Sequence, residues 1–225
     1  MHAAATATTS IPIVAYDLET DPIAAGYVAM LASPGGNVTG VFLDFPELSG
    51  KWLELLKEAV PRLTRVAVLW DPATGPAQMK AAEVAARSLR LRLQPLEARS
   101  PDDFDGAFRA AARDRAQGML VLGSPVFNSA RKPIADLAAK YRLPAIMPFP
   151  DFAADGGLIA YGPDITSLYR QVGTIAVKVL KGTKPGDLPV ERPTRFQFTL
   201  NLKTAKALGL KLPPSILVRA DQVIQ

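Results

Sequence analysis

Three carboxylates lie close together after the first apolar run of the chain. The run IPIVAY (11–16) is followed by Asp17, Glu19 and Asp21. Two neighbouring carboxylates can act as an acid and a base in hydrolysis, and a single carboxylate can bind an amine. Closely spaced acids in one polar turn are more often solvated, or charge partners of an amine, than a catalytic pair. The turn therefore favours binding over catalysis.

The other reactive residue types also point away from catalysis. The chain has no Cys and a single His, His2, close to its first residue. Thiol chemistry, histidine-based triads and His-containing zinc sites are therefore excluded. The sequence has no Walker A loop, no dinucleotide-binding glycine motif and no nucleophile elbow. We predict no catalytic residue, no metal and no cofactor, and we interpret the protein as a binder.

The charge pattern does not indicate a nucleic-acid partner. The net charge is +5, but the basic residues are spread over many segments and do not alternate with aromatic ones. This distribution is typical of a solvated surface. No apolar run reaches the roughly 18–20 residues of a membrane span. The first residues also lack the basic and apolar regions of a signal peptide.

Apolar runs alternate with helical patterns along most of the chain. Continuous apolar runs predict strands at 11–16, 37–43, 65–70, 91–97, 118–123, 143–147 and 156–161. Helical spacing predicts helices at 49–61, 76–90, 100–114, 129–141 and 165–180, with Asp164 as N-cap of the last. The predicted buried stripe of the second helix is Ala81, Val84, Ala85, Ser88 and Leu89. A strand at 196–201 and a short helix at 203–208 follow a Pro- and Gly-rich connection.

This alternation predicts the fold class. Strands that are apolar throughout are typical of parallel sheets covered on both faces. The sequence therefore predicts an α/β fold of doubly wound type.

Several predicted strands end in a polar turn that contains proline. These turns are DLETDP, LWDP, LGSP, MPFPDF and AYGPD. Proline fixes the backbone, and in an open α/β sheet the ligand crevice lies beyond the carboxyl ends of the strands. The turns are therefore predicted to line a cleft. The alternative is that proline here only marks the ends of strands.

An ordered series of motifs along the chain resembles one protein family. The motifs are IPIV…DP, LASPGGNVTGV, GKWLELLKEAVPRLTRVAVLWDP, LEARSPDDFDGAF, LAAKYRLPAI, GGLIAYGPD, LYRQVG…VLKGTKPGDLPVE and FTLNLKTAKALGLKLPPSILVRADQVI. Together they are similar to the ABC-transporter substrate-binding proteins with the type I periplasmic-binding-protein fold. Relatives of this kind include tryptophan- and phenylalanine-binding members.

The resemblance implies two lobes built from parallel sheets flanked by helices. Residues 1–45 and 162–190 are expected to be the remnant of an N-terminal lobe, and residues 46–161 the C-terminal lobe. Residues 191–225 are expected to form a hinge crossing and the C-terminal segment.

In the family, a segment like IPIV lies roughly a third of the way along the chain. We therefore expect this chain to be N-terminally truncated, with residues 3–10 as the tail of a preceding helix. The first lobe would then be incomplete, which predicts self-association through an open sheet edge and impaired ligand binding.

The function implied by the resemblance is capture of a small molecule between two lobes and its delivery to an ABC permease in the membrane. The solute is expected to be an amino acid, with an aromatic one modestly favoured. The location implied is periplasmic or lipid-anchored. The alternative is a ligand-sensing module of a regulator or receptor with the same fold.

The resemblance also implies candidate ligand-binding residues. Asp21 is the first choice for a ligand ammonium and Asp17 the second. Asp71 stands where relatives often carry Asn, and Ser124 stands where many carry an acid. Aromatic walls are expected from Phe127, Phe149 and Tyr161, each of which has core packing as its alternative.

Overall fold

The computed structural model describes residues 1–18, 20–43 and 45–225, so Glu19 of the acidic turn lies outside the described residues. The chain forms two compact units. Unit 1 comprises Met1–Phe45 and Pro163–Phe196, and unit 2 comprises Pro46–Gly162 and Gln197–Gln225.

Helices and strands alternate over residues 65–121 and again over residues 145–201. The helices are α1 (His2–Ala7), α2 (Ser49–Ala59), α3 (Ala77–Leu89), α4 (Phe104–Arg113), α5 (Pro125–Ser129), α6 (Arg131–Lys140), α7 (Asp151–Ala154), α8 (Ile165–Leu180), α9 (Leu202–Leu208) and α10 (Pro214–Val218). The strands are β1 (Ile13–Asp17), β2 (Val38–Phe42), β3 (Arg65–Trp70), β4 (Arg92–Glu97), β5 (Gly118–Val121), β6 (Ala145–Met147), β7 (Ile159–Pro163), β8 (Phe196–Asn201) and β9 (Gln222–Ile224).

Unit 1 is built on the parallel pair β1–β2, which runs in register from Ile13 opposite Val38 to Asp17 opposite Phe42. Helix α8 packs on both strands. Its start is fixed by the Asp164 carboxylate, which accepts the Ser167 N–H, so the predicted N-cap is confirmed. The core of the unit is Val28, Val38, Phe42 and Val190.

Unit 2 carries a seven-stranded sheet with the order β4-β3-β5-β6-β7-β8-β9. The pairs from β4 to β7 are parallel, so the carboxyl ends of β3, β5 and β6 meet at one edge of the sheet. β5 and β6 are buried along their whole length, as continuous apolar runs predict. The ring of Trp52 on α2 and the rings of Phe104 and Phe108 on α4 are fully buried.

The predicted α/β class is confirmed, and several elements have the predicted bounds. The strands at 65–70 and 196–201 and the helix at 165–180 agree residue for residue. The buried face predicted for α3 is wrong. The residues that this helix buries are Gln78, Met79, Ala82 and Ala86, whereas Val84 is 61% exposed.

The reason for this error is that Gln78 contributes a polar side chain to the buried face. Its side-chain amide makes two hydrogen bonds to the backbone of Gly123, so both polar atoms of the buried amide have a partner. A buried face predicted from hydrophobic residues alone leaves Gln78 out. The predicted face of α3 is therefore rotated around the helix axis relative to the face that is buried.

Candidate functional site

Asp21 lies at the rim of a cavity in unit 1. The cavity has a volume of about 130 Å³ and is lined by Asp21, Pro22, Ile23, Leu31, Phe42, Val190 and Arg192. Asp21 follows β1 and Phe42 ends β2, so the cavity lies at the carboxyl ends of the two strands. This is the edge at which α/β sheets bind ligands.

The Asp21 carboxylate is held by its own turn. Its Oδ1 accepts the N–H groups of Ile23 at 2.9 Å and of Ala24 at 3.3 Å. This local pattern is typical of Asp before proline in a turn. The side chain is exposed, so its charge is available to a ligand from solvent.

Asp17 has a different environment from Asp21. It is the last residue of β1 and is half-buried, and its Oδ1 accepts the Thr20 N–H at 3.1 Å. Asp17 is not among the residues that line the cavity. Its assignment to an ammonium remains a prediction.

Arg192 was not predicted, although it lines the same cavity as Asp21. The preceding residue, Glu191, forms a parallel bridge with Val41 of β2, and its carbonyl oxygen accepts the Phe42 N–H at 2.9 Å. The Arg192 carbonyl oxygen accepts the side-chain amide of Gln171 on α8 at 2.9 Å. The position of Arg192 is thus set by a non-local bridge, which local sequence patterns do not reveal.

In unit 2, Asp71 and Ser124 are brought together at the carboxyl ends of adjacent strands. The Ser124 hydroxyl donates to Asp71 Oδ2 at 2.8 Å, and both side chains are buried. Asp71 Oδ1 accepts the Ala73 N–H at 2.9 Å, and Ser124 Oγ accepts the Val126 N–H at 3.1 Å. Each residue therefore fixes its own turn and also the turn of its neighbour.

This pairing gives a physical role to Asp71 and Ser124, the two positions at which the chain differs from many members of the family that it resembles. An ionised Asp accepts hydrogen bonds but donates none, while a Ser hydroxyl does both. The Asp71 carboxylate and the Ser124 hydroxyl are complementary, so the bond links the loop after β3 to the loop after β5. Their ligand contacts remain predictions.

Gln78 on α3 is a further buried polar residue at this edge that sequence reasoning missed. Its Nε2 donates to the Gly123 carbonyl oxygen at 3.0 Å, and its Oε1 accepts the Gly123 N–H at 2.9 Å. Gly123 directly precedes Ser124, so Gln78 holds the same loop from the helix side. The only sequence signal is an amide on an otherwise apolar helical face.

The three predicted aromatic residues are all in unit 2 but differ in their surroundings. Phe127 is fully buried and packs edge-on against Phe104 at 5.6 Å between ring centroids. Phe149, just after β6, is 8% exposed. The Phe127 ring is thus buried in unit 2, and its contact with a ligand remains a prediction.

Tyr161 on β7 is half-buried. Its ring packs edge-on against Phe198 at 6.2 Å, and its backbone carbonyl accepts the Trp52 indole N–H at 2.8 Å. Burial raises the pKa of the Tyr161 phenol, and the negative charge of Asp221 adds to the increase. The phenol is thus kept neutral and can donate a hydrogen bond.

The described residues show neither a metal-binding cluster nor a membrane span. Across 1–18, 20–43 and 45–225, no group of three or more His, Cys, Asp or Glu side chains converges to hold a metal ion. No helix within those ranges is long and apolar enough to cross a membrane.

Comparison with known proteins identifies related sequences and structures. The sequence model of the family "ABC transporter substrate binding protein" matches residues 2–224. A tyrosine-binding protein of Clostridioides difficile is 27% identical over 218 residues, which are 93% of this chain and 60% of that protein. The chain thus spans less than two thirds of the length of this relative.

Two solved structures resemble the whole chain. One is the ABC domain of Streptococcus pneumoniae in complex with L-Trp, with 27% identity and a TM-score of 0.86 over 98% of this chain and 76% of that one. The other is a conserved domain protein of Vibrio cholerae, with 26% identity and a TM-score of 0.88 over 98% of this chain and 74% of that one.

Proposed function

Because this chain belongs to the family of ABC transporter substrate-binding proteins, we propose that it is the solute-binding component of an ABC import system. The solute is a small molecule, with an amino acid as first candidate and an aromatic one favoured. Its partner is an ABC permease in a membrane, and its location is periplasmic or lipid-anchored. The protein binds its solute and does not change it chemically.

The observation that carries this proposal is the position of Asp21 at the rim of a cavity. A carboxylate that is fixed by its own turn and exposed to solvent can bind a ligand ammonium. The apolar residues around it can cover an apolar side chain. The tyrosine-binding relative and the structure with L-Trp support an aromatic amino acid.

Isothermal titration calorimetry of the chain with each of the twenty amino acids tests this proposal. We expect a binding isotherm with at least one of them, and the strongest with an aromatic one. Asp21→Asn is the matched variant, because an Asn Oδ1 can still accept the turn N–H groups while the negative charge is lost. Absence of heat from all twenty amino acids would contradict an amino-acid solute.

We also propose that unit 1 supports self-association along β1. Tyr16 on β1 and Tyr169 on α8 are 48% and 54% exposed and pack edge-on at 5.5 Å, and Ile11 is 65% exposed. Exposed apolar side chains beside the edge of a two-stranded sheet favour pairing with a second copy.

Light scattering over a range of protein concentrations tests this self-association. The average mass should rise with protein concentration, and a constant monomer mass would contradict this proposal.

A further inference from the structure

The amino ends of the unit 2 strands bring together arginine residues that are scattered in the sequence. The order β4-β3-β5-β6 and the parallel pairing place the amino ends of these four strands along one edge of the sheet, which we call the amino edge. The exposed arginines at or just before the starts of these strands are Arg65, Arg90, Arg92, Arg115 and Arg142. The fold therefore concentrates positive charge at the edge opposite to the one that carries Asp71 and Ser124.

Two of these arginines are held side by side at a cavity. Arg65 and Arg92 are direct partners in the parallel register of β3 and β4, and neighbouring strands lie about 4.8 Å apart. Like charges placed directly opposite each other are unfavourable, and an anion between them would remove the repulsion. Both residues line a cavity of about 280 Å³. Its other described lining residues are Val66, Leu93, Gln94, Asp114 and Ala116.

The two guanidinium groups of this pair differ in how they are held. Arg65 Nε donates to the Arg115 carbonyl oxygen at 2.9 Å, so its two terminal nitrogen atoms can still donate to a ligand. Among the residues that the structure describes, none forms an ion pair or a hydrogen bond with the Arg92 guanidinium. One side of the site is therefore fixed before a ligand arrives, which lowers the entropy cost of binding, and the other side can move onto the ligand.

Asp114 lines the same cavity, but its carboxylate is already bonded within the protein. Its Oδ2 accepts Gln94 Nε2 at 2.8 Å, and its Oδ1 accepts Arg113 Nε at 3.1 Å. The positive charge of Arg113 offsets that of the carboxylate. The positive charges of Arg65 and Arg92 therefore remain for an anionic ligand.

The other three arginines extend the positive charge along the amino edge. Arg90, Arg115 and Arg142 follow the ends of α3, α4 and α6, and their φ angles are 56°, 57° and 54°. This left-handed region favours glycine, so the backbone conformation alone does not call for an arginine. A positive side chain suits the end of a helix, and at this edge it also attracts anions from solution.

We propose that the amino edge of unit 2 binds a phosphate group, which Arg65 and Arg92 contact from two sides. A guanidinium matches phosphate oxygens with two parallel hydrogen bonds, and arginine is the residue best suited to phosphate recognition. An acidic lipid headgroup and free phosphate share this chemistry, and the experiment below separates them. The site goes beyond the proposed function, because it lies at the opposite edge of the sheet from the candidate ligand-binding residues of unit 2.

Nuclear magnetic resonance titration of the ¹⁵N-labelled chain with inorganic phosphate tests the site. Sodium chloride at matched ionic strength is the reference, since it screens charges without offering phosphate oxygens. The backbone amide signals of Arg92 and Gln94 should shift and saturate with phosphate alone. Arg92→Gln should weaken phosphate binding by about 10- to 100-fold, as expected for the loss of a charge-assisted hydrogen bond.

Arg99→Gln is the matched control for Arg92→Gln. Arg99 is exposed, follows the carboxyl end of the same strand, β4, and does not line the cavity. Its replacement removes the same charge from the chain and should change the phosphate affinity by less than about twofold. Thermal unfolding midpoints should be the same for the two variants. Equal weakening by both would mean that phosphate follows the net charge of the chain, and the proposed site would be wrong.

Sedimentation with lipid vesicles identifies the source of the phosphate group. One set of vesicles contains phosphatidylcholine alone, and the other also contains phosphatidylglycerol, which has a net negative charge. Sedimentation with the acidic vesicles that Arg92→Gln reduces more than Arg99→Gln would support the site and assign it to a lipid headgroup. Binding of phosphate without binding of vesicles would support the site and assign it to a soluble phosphate. If Arg92→Gln changes neither, the proposal is wrong.

Discussion

In unit 1 the side chains of Asp21 and Arg192 are exposed at the rim of a cavity, whereas in unit 2 those of Asp71 and Ser124 are buried and bonded to each other. All four follow, or lie beside, the carboxyl ends of parallel strands. Each place has one Asp, but Asp21 is exposed and accepts only from its own turn, whereas Asp71 is buried and also accepts from a neighbouring loop.

The difference shows that a polar residue at the end of a strand can serve either the ligand or the fold. An exposed charge costs little to keep in water and can be used by a ligand. A buried carboxylate must have its lone pairs satisfied by the protein, and Asp71 satisfies them with Ala73 and Ser124. Loss of a residue should therefore affect binding in unit 1 and stability in unit 2.

The largest effect on stability is expected from Asp71→Ala. This change leaves the Ala73 N–H and the Ser124 hydroxyl without their acceptor in a buried site, which should lower the free energy of unfolding of unit 2 by about 3 kcal/mol. Tryptophan fluorescence during urea unfolding measures this, because Trp52 and Trp70, the two tryptophans of the chain, both lie in unit 2.

Asp21→Ala is the matched control for Asp71→Ala. Because Asp21 is exposed, its removal should cost less than about 1 kcal/mol in the same experiment. Equal losses of stability in the two variants would remove the distinction between a residue that serves the fold and one that is available to a ligand.

A somewhat smaller loss is expected from Gln78→Met. Methionine has a similar length but leaves both the N–H and the carbonyl of Gly123 without partners, at a cost of about 2 kcal/mol. The control is Gln94→Met on β4, where the amide is half-buried and bonds the Asp114 carboxylate at 2.8 Å. We expect the control to cost less than about 0.5 kcal/mol. If the control destabilises the protein as much as Gln78→Met does, the Gln78 bonds do not hold the Gly123 loop.

The sequence predicts the fold well because hydrophobic spacing depends on burial, and burial defines the elements. β3, β8 and α8 agree with their predicted bounds for this reason. The same method fails at α3, where a bonded amide replaces an apolar residue on the buried face.

The sequence is less informative about the candidate site. Asp21 was predicted because its turn resembles a loop of the family, and it lies at the cavity rim, while Arg192 was missed because the bridge that places it joins residues far apart in the chain. Asp71 and Ser124 were predicted separately, with no sign that they bond to each other. A hydrogen bond between two turns depends on strand order, which composition and spacing do not contain.

Ser124→Ala should have a smaller effect than Gln78→Met. It removes the donor to Asp71 and the acceptor of the Val126 N–H that starts α5, at a cost of about 1.5 kcal/mol. Ser129→Ala, at the other end of the same helix, removes an exposed bond to the Pro125 carbonyl and should be nearly neutral. Urea midpoints from tryptophan fluorescence compare the two, and a neutral Ser124→Ala would show that its buried bonds add nothing to stability.

The smallest effect concerns the pH dependence of unit 2 through Tyr161. Burial, and then the charge of Asp221, raise the pKa of its phenol above the ordinary value of 10.0. When the folded pKa is above the unfolded one, the contribution to stability is fully present below pH 10.0 and is lost as pH rises through the folded pKa. Tyr161→Phe should therefore keep more of its stability than the unchanged chain in alkaline solution.

Ultraviolet titration of tyrosinate absorbance can isolate this residue as the difference between the chain and Tyr161→Phe. The substitution removes only the hydroxyl and leaves the backbone carbonyl that accepts from Trp52. The difference curve should have its midpoint above that of a free tyrosine, and Asp221→Asn should lower it by a smaller amount than burial raises it, because charge is the second cause. A midpoint equal to that of a free tyrosine would mean that the Tyr161 phenol is fully solvated. This side chain of unit 2 would then be as open to solvent as the exposed Asp21 carboxylate of unit 1, and the contrast between the two units would not extend to it.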